Sequence, residues 1–239
     1  MENETTLDTA LGHVVADEPQ LIRNRFIRNT YLHVVLAIVV FAGLESALLQ
    51  TSLPVAFLEF LSTSAWMWLA VLGVFFVGSM VATSWARNAV SRKVQYLGLF
   101  FYTVLEALIF LPFVFIANAF MPGVLLEAAI ATLSLVAGLT LVAFTTKKDF
   151  SFIKGFLTVG AIIAMGLIVT SIAFGYSLGL WFTGGMIVFA AGSVLYSTSK
   201  IIHEYRSDQH VAAALSLFAS IALLFWYILR LFMSLSSSE

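Results

Sequence analysis

Seven long stretches of this chain are apolar almost without interruption, and short polar segments separate them. They cover residues 31–49, 65–84, 94–117, 124–144, 156–175, 178–196 and 211–233. A helix that crosses a hydrocarbon core of about 30 Å needs about 20 apolar residues. Each stretch meets that length. None shows the strict apolar–polar alternation of a membrane β-barrel strand. The pattern therefore predicts an all-α polytopic membrane protein with seven transmembrane helices. The fifth and sixth stretches are separated by little more than Tyr176 and Ser177. Each is long enough to span alone, which favours a tight hairpin over a re-entrant pair.

Composition agrees. Of 239 residues, 61% are hydrophobic and 10% charged, against about 25% charged in a typical soluble domain. Mean hydropathy is +0.99. The formal net charge of -1 provides no basic footprint for nucleic acid. With 0 Cys there is no disulfide, thiolate metal site or palmitoylation anchor.

The few cations are placed asymmetrically. Arg23, Arg25 and Arg28 precede the first span. Arg87, Arg92 and Lys93 follow the second, Lys147, Lys148 and Lys154 follow the fourth, and Lys200 and Arg206 follow the sixth. Thus eleven of the twelve basic residues fall on one side, and the alternate loops at 50–64, 118–123 and 176–177 hold none. The positive-inside rule then puts the N-terminus in the cytoplasm and the C-terminus outside. Residues 1–30 read as a polar and basic N-terminal segment, 31–233 as the membrane domain and 234–239 as a short outer tail. Leu21 to Arg28 fits either a basic amphipathic helix on the inner leaflet or simple flanking charge.

Small residues mark close helix approach. The last span carries Ala212, Ser216 and Ser220 at four-residue spacing. The sixth carries Gly179, Gly184, Gly185, Ala190, Ala191 and Gly192, and the fifth Gly160, Ala164 and Gly166. These stripes predict tight packing of the last three helices, with the seventh inside the bundle. Pro112 removes a backbone hydrogen bond from the third span and marks a kink site.

Charge inside a span is costly and is a functional-site candidate by default. The inventory is Glu45, Glu106, Glu127 and Arg230. At a rise of 1.5 Å per residue, Glu106 lies roughly 20 Å above Lys93, while Glu45 and Arg230 lie roughly 25 and 28 Å up. Glu127 sits one turn below the outer loop. A carboxylate–guanidinium pair at this level would lower the cost of both charges. Snorkelling of Arg230, and interfacial positions for Glu127 and Glu45, are the simpler alternatives. Glu106 is the hardest to place at an interface and is expected to face the bundle interior.

Enzyme chemistry has little to work with. The Asp residues are Asp8, Asp17, Asp149 and Asp208, all outside the spans. No His or Lys lies deep in a span. His203-Glu204 lacks the second His of a zinc-protease motif. His203, Glu204, Asp208 and His210 read as a solvated loop, and no cofactor or metal is expected.

Three segments resemble a known family. Gly138-Leu-Thr-Leu-Val-Ala-Phe-Thr-Thr-Lys-Lys-Asp149-Phe-Ser-Phe-Ile-Lys-Gly-Phe156 resembles the fourth-helix exit of the Bax inhibitor-1 superfamily, in its bacterial YccA-like form. Leu195-Tyr-Ser-Thr-Ser-Lys-Ile-Ile-His203 resembles the family segment L-Y-D-T-x-K-I-I. The run from Ala212 to Phe225, with Ile228-Leu-Arg230-Leu231, resembles the last family helix. With Phe110-Leu-Pro112 the resemblance covers about residues 31 to 231.

The resemblance implies seven helices with the last one central. It also implies a role in stress tolerance, as a proton-sensitive calcium leak or as a restraint on a membrane-anchored ATP-dependent protease. Leak-type members carry an aspartate pair on the last two helices. Ser197 and Ser220 stand at those positions here, and hydroxyls do not ionise near neutral pH. Calcium is the ion a leak would carry, and the lipid bilayer and that protease are the expected partners.

Overall fold

The computed structural model describes residues 14–88, 90–146 and 149–237. Ala89, Lys147, Lys148, the first thirteen residues and the last two lie outside the described residues. A 3-10 turn at Val15–Asp17 precedes eight α-helices. They are α1 (Gln20–Leu48), α2 (Leu53–Ser62), α3 (Ala65–Ala86), α4 (Arg92–Phe120), α5 (Val124–Thr146), α6 (Ile153–Phe174), α7 (Gly179–His203) and α8 (His210–Ser236). All but α2 are long and apolar enough to cross a membrane. No β-strand occurs among the described residues, only an isolated bridge between Val14 and Arg206.

Two boundaries differ from the hydropathy reading. First, Leu21 to Arg28 forms the opening turns of α1 rather than a separate in-plane helix. Nothing breaks the helix between Gln20 and the apolar run. Second, the loop at 50–64 contains α2, with Pro54 in its first turn, where the missing N–H costs nothing. The fifth and sixth spans form a hairpin of two full helices. The α6 helix ends at Gly175, whose φ of 72° closes the last turn through its N–H to the Ser171 carbonyl. A left-handed C-cap of this kind suits glycine because it has no Cβ.

The last span is the axis of the bundle. Its most apolar window is 72% buried, against 56% for α4 and 6–22% for the others. It packs against α1, α3, α4, α5 and α7. Its run from His210 to Leu215 is buried on every face, as are Leu217, Phe218, Leu224 and Leu229. A helix apolar all round and surrounded by helices needs no lipid-facing stripe. By contrast α3 and α6 turn Val74, Phe76, Val77, Ile162 and Ile163 outward. In the half of the bundle away from the N-terminus an aromatic cluster locks α1, α4 and α8. Trp226 meets Phe113 at 4.3 Å and Phe110 at 4.9 Å, and Phe41 meets Phe110 edge-on at 5.2 Å. The α4 helix stays continuous through Pro112.

The small-residue stripes are borne out unevenly. On α7 and α8 the alanines 190, 212, 213 and 214 are buried, and the two helices pack closely. Gly184, Gly185 and Gly166, however, have no neighbour within 4 Å of a built Cβ, so they are not contact points. The tightest approach lies elsewhere. A Cβ on Gly98 of α4 would stand 2.6 Å from both the Ala82 carbonyl oxygen and the Ala86 nitrogen of α3.

Candidate functional site

Ser197 and Ser220 meet. Ser197 faces the α8 side of α7, and Ser220 faces back from α8. Their Oγ atoms lie 2.9 Å apart, a good hydroxyl–hydroxyl distance. Ser193 Oγ is 3.0 Å from Ser220 Oγ. Ser220 Oγ also donates to the Ser216 carbonyl at 3.1 Å, one turn back on its own helix. With that proton committed, the Ser220 oxygen accepts from Ser193 and Ser197. Ser197 and Ser220 are 4% and 5% exposed, so these bonds form largely away from water.

Interhelical hydroxyl bonds in bilayers contribute modestly, about 0.6 kcal/mol each on average. Ser220→Ala is therefore expected to lower stability by about 1 kcal/mol, with Ser193→Ala costing less because it has one partner in the cluster. The thermal unfolding midpoints of the two variants in detergent would check that order.

The serines line one wall of a cavity of about 670 Å³ bounded by α3, α4, α6, α7 and α8. Ser79, Thr83, Thr158, Tyr102, Tyr196 and Tyr205 also line it, although the Tyr205 hydroxyl itself is buried. Three cations complete the lining: Arg87 from the end of α3, Lys154 from the start of α6, and Lys200 from the end of α7. Among the described residues no carboxylate lines it. Glu204 reaches Lys200 from outside at 3.5 Å, and Lys200 also lies 5.3 Å from the ring centres of Tyr196 and Tyr205.

The loops at this basic end are tied together. The Phe150 N–H donates to Ser199 Oγ at 3.0 Å, Val15 N–H to the Tyr205 carbonyl at 2.9 Å, and Ser207 Oγ to Glu18 at 2.9 Å. The backbone and side chain of Ser151 donate to Asp149 and hold its carboxyl below the usual range, partly offset by desolvation. Ring contacts of His33 with Tyr96 and His210 join α1, α4 and α8.

The intramembrane charges are not brought together. Glu106 is 5% exposed on α4, with the Tyr102 phenol within hydrogen-bonding reach one turn earlier. Glu45 is 4% exposed, and neither carboxyl oxygen has a hydrogen-bond partner among the described residues. Arg230 makes no ion pair among the described residues, so the carboxylate–guanidinium pair weighed from depth does not form. It is half-buried, with Tyr227 as its neighbour on the same helix. Glu127 is exposed in the first turn of α5, where a negative charge suits the helix dipole. Equal height fixes only one coordinate; the direction each helix face takes fixes the other.

At the basic end, Glu204 pairs with Lys200, and Asp208 with Arg206 at 3.4 Å. His203 Nδ1 lies 3.0 Å from the Ser199 carbonyl. Among the described residues no three His, Asp or Glu side chains gather as a metal site.

A family model described as "Inhibitor of apoptosis-promoting Bax1" matches residues 23–237. The chain belongs to the Bax inhibitor-1 family. No curated protein and no solved structure gives a significant match. The matched region takes in all seven membrane helices, and so both serines and every wall of the cavity. Within this Bax inhibitor-1 protein, the basic cavity is the feature that the sequence left unmarked. Arg87, Lys154 and Lys200 come from three separate helix ends, and each passes for an ordinary flanking charge.

Proposed function

We propose that this protein is a non-conducting membrane regulator of the YccA-like bacterial branch, which restrains a membrane-anchored ATP-dependent quality-control protease. The observation that carries the reading is the Ser197–Ser220 contact at 2.9 Å. Calcium takes six to eight oxygen ligands and favours carboxylates. Two hydroxyls that satisfy one another offer neither charge nor a proton switch near neutral pH. The absence of carboxylates from the cavity lining supports the same conclusion. No catalytic chemistry is assigned. The cation distribution favours a cytoplasmic basic end in the inner membrane, which is the side on which such a protease would extract its substrates.

Co-purification tests the reading. The native chain in mild detergent should retain the protease, and turnover of the protease's membrane substrates should slow when the chain is present. Loss of the protease under mild conditions, with unchanged turnover, would remove this reading.

One observation favours a second reading, a calcium-permeable leak with altered gating. Tyr102 lines the cavity and reaches Glu106, so a carboxyl stands just behind its deep wall. On this reading, calcium uptake by proteoliposomes falls in Glu106→Gln. The first reading expects a different pattern: no uptake by the native chain, and pH-dependent uptake only in Ser197→Asp/Ser220→Asp, where two adjacent carboxyls share a proton.

A further inference from the structure

We infer that the cavity between α3, α6, α7 and α8 is a binding site for a phosphate-bearing anion, either free phosphate or the headgroup of an anionic lipid. This goes beyond the regulatory reading and does not depend on the identity of any protein partner.

Arg87, Lys154 and Lys200 face one space of about 670 Å³ whose other polar groups are hydroxyls. Ammonium and guanidinium groups only donate, so the three cations are the principal donors of the lining; the Ser79, Thr158 and Ser220 hydroxyls donate to the Phe76, Lys154 and Ser216 carbonyls, and the Tyr196 hydroxyl to Glu204. A phosphate, with acceptor oxygens only when ionised, matches such a lining, whereas a cation would meet three like charges. Glu204 offsets Lys200, and Asp149 faces Tyr196 and His203. Arg87 and Lys154 have no ion pair among the described residues. The site thus keeps two uncompensated cations at an exposed mouth, with Lys200 behind them at 16% side-chain exposure and the serine cluster deeper still. Arginine's fork can take two phosphate oxygens at once. Leu157, Leu215 and Ala219 add apolar wall beside these groups.

The test uses the full chain in nanodiscs of zwitterionic phospholipid. Thermal stability is followed as inorganic phosphate replaces chloride at constant ionic strength. A second arm omits phosphate and adds phosphatidylglycerol to the discs. A rise in the unfolding midpoint with phosphate identifies the free anion as ligand, and a rise only with phosphatidylglycerol identifies the headgroup. In either case Arg87→Gln/Lys154→Gln should weaken the apparent affinity about tenfold or more, since a hydrogen bond to a charged group contributes about 1.5–3 kcal/mol. Both residues are exposed at helix ends, so the fold should survive their neutralisation. Lys93→Gln removes an exposed charge that does not line the cavity and should leave the affinity unchanged. The inference is overturned if neither ligand raises the midpoint, or if Lys93→Gln weakens binding as much as the double variant does.

Discussion

Gly98→Ala is expected to destabilise the bundle by about 2–3 kcal/mol, at the upper end of the range for overpacking. The new Cβ would stand 2.6 Å from two backbone atoms of α3 and 3.0 Å from Trp85 Cβ. Both atoms belong to the hydrogen-bonded last turn of α3 and cannot swing aside as a side-chain end can, so the two helices must separate or slide. Close crossings at small residues drive helix association in a bilayer, because lipid tails are as apolar as the side chains. Here Ala82 and Ala86 of α3 supply the small partners, and both are essentially fully buried. Gly78→Ala is the informative control. Its Cβ would approach Leu105 Cδ1 at 2.7 Å, but that methyl terminates a flexible side chain and can rotate away. Gly138→Ala, with nothing within 4 Å, should cost nothing and even favour the helix. Unfolding midpoints of the three variants in one detergent would decide the matter. Equal midpoints for the Gly98 and Gly138 variants would contradict the close crossing.

Glu45→Met should stabilise the protein by about 1–3 kcal/mol, the usual cost of a buried polar group without a partner. Both carboxyl oxygens of Glu45 are buried and have no hydrogen-bond partner among the described residues, and the residue sits in the last turn of α1. A negative charge there is also opposed by the helix dipole. Methionine has nearly the same length and no polar atom to desolvate. Glu45→Gln keeps the polarity and should recover little. Glu106→Met should show no such gain, because Tyr102 gives that carboxyl a neighbour. If Glu45→Met were destabilising, the carboxyl would have to hold a partner in the membrane, and its place as an isolated cost would fall.

Much of the fold is legible in the chain because lipid accepts no unpaired backbone, so length and apolarity together imply a helix. Helix ends are less legible. Hydropathy marks where lipid stops, while backbone hydrogen bonding continues beyond it, as α1 does back to Gln20 and α7 does on to His203. The short α2 escapes notice because its apolar run is below spanning length. Packing is legible only in part. Repeated small residues point to α7 and α8, but the tightest contact belongs to Gly98, which stands alone between Leu97 and Leu99. The serine pair is recognisable only through resemblance, since isolated serines in membrane helices are common. Its contact depends on α7 and α8 facing each other, which no single segment encodes. The cavity's three cations are separated by tens of residues and converge only in the folded bundle.

On the proposed reading, a hydroxyl pair in a cavity with no carboxylate lining among the described residues leaves this family member without calcium conduction. The most direct measurement is calcium uptake by proteoliposomes of the purified native chain, between about pH 6 and pH 8, where carboxylate pairs and histidines titrate. The account predicts no uptake above empty liposomes at any pH in that range. Uptake above that background, lost in Glu106→Gln, would contradict it.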